Sequence, residues 1–375
     1  GIVMVENEAL WLNAKRAPFT VGAAPYTAPE AGEIVVRVRA VAVNPMDRLQ
    51  QTLGDLFTPW TAYPFIVGSD IAGDVVEVGS GVTRFAVGDR VVGYAAGSDQ
   101  QRNRAAEGGF QAFVVVLAHM AAPIPAAMTY EEAAVLPLGI STAACGMFQK
   151  DFLAMNPPSG AATPARKTLL VWGGSTSVGS NAIQLAVAAG YDVVTTASPR
   201  NFDYVKRLGA REAFDYRSKT VLADIVSALR GREIVGALAI GPGSAAACIE
   251  IVGACKGNRF VAMATPPTSW DNVPRGRSRL LHLVPALARM LIGTLALTRT
   301  ARRRNVRTKM IWGSALIANE VGPMIFEAFL PAALAEGRFV AAPAPTVVGT
   351  GLAQIPVALE RQRQGVSATK LVVTL

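Results

Sequence analysis

The sequence predicts an α/β fold in which a β-rich first part is joined to a doubly wound parallel sheet. Three observations predict it. The stretch Leu169 to Ser198 reads as strand, glycine turn, helix, strand and basic turn. Alternating apolar runs separated by glycine turns come before it. Strand and helix patterns alternate from Arg166 onward.

Taken in order, residues 33–43 alternate polar and apolar side chains, as a half-buried strand does. Residues 71–79 and 89–93 form further strands bounded by glycine, and residues 108–116 another. After Tyr130 the pattern turns helical through Val135. Asn156 to Pro164 is a loop rich in proline and glycine. Leu169-Leu170-Val171-Trp172 is a short apolar strand, followed by Gly173-Gly174-Ser175-Thr176-Ser177-Val178-Gly179 and a helix over Asn181 to Val187. Gly190 stops that helix, and Asp192 to Thr196 resumes a strand. The tail holds a short helix around Ala353-Gln354-Ile355 and a last strand, Lys370 to Val373.

The central stretch has the layout of a mononucleotide-binding βαβ unit. Glycines let the backbone turn tightly and let a pyrophosphate approach. The helix N-terminus then offers N–H groups and a partial positive charge to that anion. An NAD site places an acid at the end of the second strand to hold the ribose 2′-hydroxyl. Here that tip is Ser198-Pro199-Arg200-Asn201, with no acid before Asp203. A guanidinium and hydroxyls suit a 2′-phosphate, which a carboxylate would repel. The expected cofactor is therefore NADPH.

Hydrophobic residues make up 51% of the 375, enough for a large core and against disorder. Gly1 to Glu6 shows no basic region followed by an apolar one, so no signal peptide is expected. Cys145, Cys248 and Cys255 lack framework spacing, which fits a reducing compartment and a cytoplasmic protein. The net charge of +9 is local: residues 266–310 hold ten basic residues against Asp271, and the rest is balanced. This segment reads as a solvated basic loop, or as a docking surface for an acidic carrier protein, a CoA-like substrate or a membrane. Within it, Leu280 to Leu297 is mostly apolar but interrupted by Pro285, Arg289 and Gly293. That argues against a transmembrane span and for a helix packed over a cleft or a subunit interface, with an in-plane membrane contact as a further reading. No nucleic-acid partner is expected.

Several motifs together carry a resemblance over nearly the whole chain: Asn44-Pro45-Met46-Asp47, Gly68-Ser69-Asp70-Ile71-Ala72-Gly73, Val87-Gly88-Asp89-Arg90-Val91, Leu136 to Ala143, Leu208-Gly209-Ala210 and Phe214-Asp215-Tyr216-Arg217. The chain resembles the medium-chain dehydrogenase/reductases. It is most similar to a fungal and bacterial branch called zinc-binding oxidoreductases, related to trans-acting enoyl reductases of polyketide synthesis. The resemblance implies a GroES-like catalytic domain over 1–150. A Rossmann domain over 151–335 follows, with a basic and apolar insertion near 266–310. Residues 336–375 return to the catalytic domain.

The resemblance also implies residue roles. Gly173, Gly174, Ser175, Thr176, Ser177 and Val178 would face the pyrophosphate. Ser198, Pro199, Arg200 and Asn201 would surround the 2′-phosphate, and Tyr216 would lie against the adenosine. Pro45, Met46, Asp47 and Arg48 would line the nicotinamide side. Leu138 to Cys145, Thr142 among them, would border cofactor and substrate, and Val366 and Ser367 would close over the nicotinamide. Asn44 and Asp47 are the candidates for orienting substrate. On the residues alone, Asp47, Ser175 and Thr176 also read as helix caps, and Tyr216 as a plain strand-end aromatic. Many relatives carry a lysine two residues after the aspartate, where this chain has Leu49. Tyr63, Tyr94 and solvent are the remaining proton sources.

No zinc is expected. Zinc-dependent members use cysteine, histidine and a further cysteine or acid. Here the corresponding positions fall at Asn44-Pro45 and Gly68-Ser69-Asp70, and the two histidines, His119 and His282, lie far apart. Without a Lewis acid, hydride addition to a simple ketone is disfavoured, whereas a conjugated C=C accepts it at the β-carbon. The expected activity is NADPH-dependent reduction of an enoyl or enone substrate, small or carrier-bound, by a monomer or homodimer. A quinone oxidoreductase is the alternative enzyme, and a non-catalytic NADPH-binding interaction protein the alternative of another class.

Overall fold

The computed structural model describes residues 5–375; the reading of Gly1 to Met4 lies outside them. In chain order the strands are β1 (Asn7–Leu12), β2 (Phe19–Ala24), β3 (Glu33–Ala42), β4 (Asp70–Val78), β5 (Arg90–Tyr94), β6 (Phe113–Leu117) and β7 (Ala121–Pro123). Then come β8 (Thr168–Trp172), β9 (Asp192–Ala197), β10 (Glu212–Asp215), β11 (Glu233–Ala239), β12 (Lys256–Gly257), β13 (Phe260–Met263) and β14 (Arg307–Met310). β15 (Ala344–Thr350) and β16 (Thr369–Thr374) close the chain. The described residues divide into two compact units: residues 5–138, 273–279 and 326–375 in the first, residues 139–272 and 280–325 in the second.

The first unit is built on a sheet ordered β15-β16-β3-β4-β5-β7, with β6 also paired to β3 and a separate β1-β2 ribbon. Most pairs are antiparallel, but β15 and β16 run parallel. β3 can serve three neighbours because it is ten residues long and strongly β-branched. Its Ile34, Val36, Val38 and Val41 enter one core with Ile71, Val91, Val114, Val116, Leu371 and Val373. The strand expected over 108–116 begins only at Phe113. Residues 108–112 bend instead, with Gln111 bridged to Ala9 and its side chain donating to the Gly108 carbonyl at 2.8 Å. The helix Tyr130–Ala134 starts where its sequence says it should: Thr129 and Glu132 form a reciprocal capping box.

In the second unit every strand pair is parallel, in the order β10-β9-β8-β11-β13-β14. With the two-residue β12, which pairs beside β11, set aside, this is the 3-2-1-4-5-6 order of dinucleotide-binding sheets. Leu169, Leu170, Val171 and Ala237 to Ala239 are all fully buried. A parallel sheet covered on both faces demands such unbroken apolar runs.

Two expectations change. The helix expected over Leu280 to Leu297 is present but longer, a 26-residue helix Arg279–Arg304 that takes in Arg299 and Arg302 to Arg304, so this part of the basic segment is not a loop; β14 follows it. By length and composition it is apolar enough to cross a membrane. Leu283, Ala286 and Ala301 are nonetheless packed into the protein. In the tail, the helix expected around Ala353-Gln354-Ile355 begins as a 3-10 turn over Leu352–Gln354 and continues to Gln364, longer than expected, and β15 precedes it.

Candidate active site

The second unit's site features cluster at the C-terminal end of β8. There the strand order reverses between β8 and β11, the switch point where such sheets bind ligands. Gly173 has φ +95°, and a Cβ on it would meet the Ile240 carbonyl oxygen at 2.7 Å. Gly179, one turn into the helix Ser177–Ala188, leaves no more room: its Cβ would lie 2.0 Å from the Gly173 oxygen. Glycine at both places is a steric necessity. The turn is held from β9, where Thr196 Oγ1 accepts from Gly173 N at 3.0 Å and Thr196 O accepts from Gly174 N at 2.9 Å.

Thr176 caps the helix, its Oγ1 accepting from Gly179 N at 3.0 Å. Helix geometry provides no intrahelical acceptor for the N–H groups of the first turn. Ser175, Thr176, Ser177 and Val178 are only half-buried. The helix therefore presents donors and its dipole to an accessible surface, the chemistry of an anion site.

The β9 tip follows the same logic. Ser198 and Arg200 are accessible, and Asn201 is buried with its N–H donating to Ser198 O at 2.8 Å. A relay ties tip to turn: Tyr204 Oη donates to Ser180 Oγ (2.8 Å), which donates to Gly174 O (3.1 Å). Tyr216 follows β10, 40% exposed, with the Arg217 guanidinium 5.2 Å from its ring centre. Thr142 is half-buried on the helix Pro137–Phe148, its Oγ1 packed so closely on Gly313 that a Cβ there would sit 2.8 Å away.

In the first unit, Pro45, Met46, Asp47 and Arg48 open the helix Pro45–Phe57. Pro45 is exposed, Met46 half-buried, and Asp47 and Arg48 buried. Asp47 is a cap: its Oδ2 accepts from Asn44 N at 2.8 Å. The Asn44 side chain turns the other way and donates to Asp70 Oδ2 at 2.9 Å. Asp70 also accepts from Lys370 Nζ at 2.6 Å and from Leu138 N at 2.6 Å, while Lys370 donates again to Val135 O at 3.1 Å. Asp70 and Lys370 are essentially sealed from solvent. The cluster thus joins β4, β16, a helix start and the Val135–Leu138 turn. Val366 and Ser367 lie on the exposed loop before β16.

Lys370 had no role assigned from sequence, and Asp70 was named only as part of the motif that stands where zinc-dependent members place ligands. The available signal was a lone cation and a lone acid, each set in an apolar strand. Such a charge must find a partner or stay neutral. Of the tyrosines considered as proton sources, Tyr94 is buried opposite Asp70. Burial first, then Asp70 and Asp99, push its hydroxyl above the ordinary phenol range.

Burial also raises Asp47 from its ordinary value of 3.8 to about 8, with nearby Asp70 adding to the effect. The Asn44 N–H and Lys370 oppose it. The folded state therefore holds a proton on Asp47 that the unfolded chain releases above pH 3.8. This contribution to stability is full below that value and is lost as pH rises toward about 8. Asp47→Asn keeps an acceptor for the Asn44 N–H and cannot ionise. The variant is expected to gain on the wild type by up to about 1.4 kcal/mol per pH unit across this window. Urea unfolding at several pH values checks it; a difference that does not vary with pH refutes it.

With this geometry in view, the relatives are informative. Residues 30–126 match the alcohol dehydrogenase GroES-like domain family. Dehydrogenase pigH of Monascus ruber is 47% identical over 99% of this chain and 100% of its own. The trans-enoyl reductase himH of Aspergillus japonicus is 35% identical over 98% of this chain and 97% of its own. The chain is a medium-chain dehydrogenase/reductase. Its fold agrees: a mycobacterial protein solved with NADPH superposes with a TM-score of 0.65, at 20% identity, covering 98% of this chain and 100% of the other.

As a medium-chain dehydrogenase/reductase the protein is an oxidoreductase with a GroES-like unit and a Rossmann-type unit. Among the described residues, no group of three or more His, Cys, Asp and Glu side chains lies together. The three cysteines are buried free thiols.

Proposed function

We infer that this medium-chain dehydrogenase/reductase is an NADPH-dependent, zinc-independent reductase of an activated C=C bond, in an enoyl or enone substrate that is small or carrier-bound. The Asn44–Asp70–Lys370 cluster carries this reading. Where zinc-dependent members place ligands, this chain has an amide, and an acid whose two oxygens already take three donors, one of them an ammonium. A site of that kind supplies hydrogen bonds rather than a Lewis acid, which suits conjugate addition. The likeness to proteins named trans-enoyl reductases supports the same substrate class.

When bound, NADPH supplies the hydride. The chain's part is to hold and orient. Gly173 and Gly174 admit the pyrophosphate, and the helix start at Ser175 to Val178 meets its charge. Ser198, Pro199, Arg200 and Asn201 form the 2′-phosphate pocket, and Tyr216 packs on the adenosine. Pro45, Met46, Arg48, Thr142, Val366 and Ser367 serve the nicotinamide end. Asn44 and Asp47 position rather than react, since both are buried and committed to each other and to Asp70.

Rapid-mixing loss of nicotinamide absorbance with enoyl thioesters, enones and quinones tests the activity. Oxidation with the first two supports it; none with any acceptor refutes it. Arg200→Ala separates the coenzymes. A charged hydrogen bond of about 1.5–3 kcal/mol is lost, so the KM for NADPH should rise on the order of 10- to 100-fold while that for NADH stays put. An equal effect on both coenzymes would remove Arg200 from the 2′-phosphate site.

A further inference from the structure

The helix Arg279–Arg304 has an unusual outward face. Leu283, Ala286 and Ala301 pack inward. Leu280, Leu281, Val284, Leu291, Ile292 and Leu295 point away from them, each at least 60% exposed. At 100° per residue these six fall within a sector of roughly 120°, along about 22 Å of helix. So large a contiguous apolar surface is rarely left to water.

Its charged surroundings are one-sided. Arg289 sits at the flank of the apolar strip, and Arg299, Arg302 and Arg303 follow its C-terminal end. All four are exposed, and none makes an ion pair or hydrogen bond among the described residues. Arg279 is committed, donating to both Asp55 oxygens at 2.7 and 2.8 Å, and Arg304 pairs with Glu250. No acid occurs in the sequence from Asn272 to Asn319.

We propose that this helix lies in the plane of an anionic lipid surface, its aliphatic strip among the acyl chains and its free arginines on the headgroups. Three observations select this occupant. The exposed arginines favour a negatively charged partner, and their long apolar stems let the guanidinium groups reach headgroups while the strip is immersed. The strip is convex, so a protein partner would need a matching groove, whereas a fluid leaflet conforms to it. A second copy is disfavoured by charge. Antiparallel pairing sets Arg299, Arg302 and Arg303 against the other copy's Arg275, Arg277 and Arg279, and parallel pairing stacks arginine on arginine. The helix lies flat rather than spanning. One face is packed on protein, Pro285 and Arg289 interrupt it, and β14 begins three residues after it to pair with β13.

The test uses the full chain and vesicles of phosphatidylcholine, with or without about a third phosphatidylserine, in co-sedimentation at low and high salt. The wild type should bind the anionic vesicles, ignore the neutral ones and release in high salt. Arg299→Gln/Arg302→Gln/Arg303→Gln should lose on the order of a hundredfold in affinity. Leu281→Asp/Leu291→Asp should abolish binding. These positions are exposed, and circular dichroism should confirm that both variants stay folded. The proposal fails if folded wild type ignores anionic vesicles. It fails equally if Leu281→Asp/Leu291→Asp dissolves a dimer seen by light scattering, or if the arginines prove to bind an acidic carrier protein while vesicles are ignored. None of these results bears on NADPH turnover with soluble acceptors.

Discussion

Replacing Lys370 by methionine is expected to cost about 3–5 kcal/mol of folding stability, the usual effect of stripping one partner from a buried ion pair. Asp70 would keep its bonds from Asn44 and Leu138 but lose the ammonium that touches it. The double variant Asp70→Asn/Lys370→Met should recover much of the loss, because no uncompensated charge then remains buried. Equilibrium unfolding in urea measures all three. If Lys370→Met costs less than about 1 kcal/mol, the pair behaves as a solvated surface bridge and the cluster is not the anchor argued above. The same variant should lower turnover at saturating coenzyme, because Asn44 and the start of the helix Pro45–Phe57 are oriented through Asp70.

Gly179→Ala is expected to have the largest effect on coenzyme binding. Its added methyl would lie 2.0 Å from the Gly173 oxygen and 2.8 Å from the Gly173 carbon. Both are backbone atoms of the turn itself, so relief requires the turn to move. An anion held by backbone N–H groups depends on their convergence, and misplacing them by about 1 Å costs on the order of a hundredfold. Calorimetric titration with NADPH should show at least that loss. The strain should lower stability by about 1–3 kcal/mol. Thermal unfolding without coenzyme separates the two effects. Coenzyme binding at wild-type strength in a folded Gly179→Ala protein would contradict the assignment of this turn.

Several local features were legible before any coordinates. Leu169 to Trp172 reads as a buried strand because a short apolar run between Arg166-Lys167 and the Gly173-Gly174 turn leaves few alternatives, and β8 spans it. The helical pattern after Tyr130 was legible too, and the structure starts that helix at Tyr130 on a Thr129–Glu132 capping box. The late start of β6 was hidden because Gly108 to Ala112 alternates like a strand, while the segment bends, its Gln111 side chain held on the Gly108 carbonyl. β15 was missed for the opposite reason: prolines at 343 and 345 read as loop, yet the strand pairs on one side with β16 alone, where proline is tolerated.

What the sequence by itself determined is the local and the periodic: a βαβ unit with its glycine turn and basic tip, a β-rich partner, and an arginine-laden apolar segment. These depend on neighbours within a few residues, where sterics and hydrogen bonding act directly. Only the tertiary structure decided that Lys370 meets Asp70 across 300 positions, and that the leucines of the helix Arg279–Arg304 face outward. A buried charge reveals its need for a partner but not which one. A helix with apolar residues on several sides does not disclose which side the core will take.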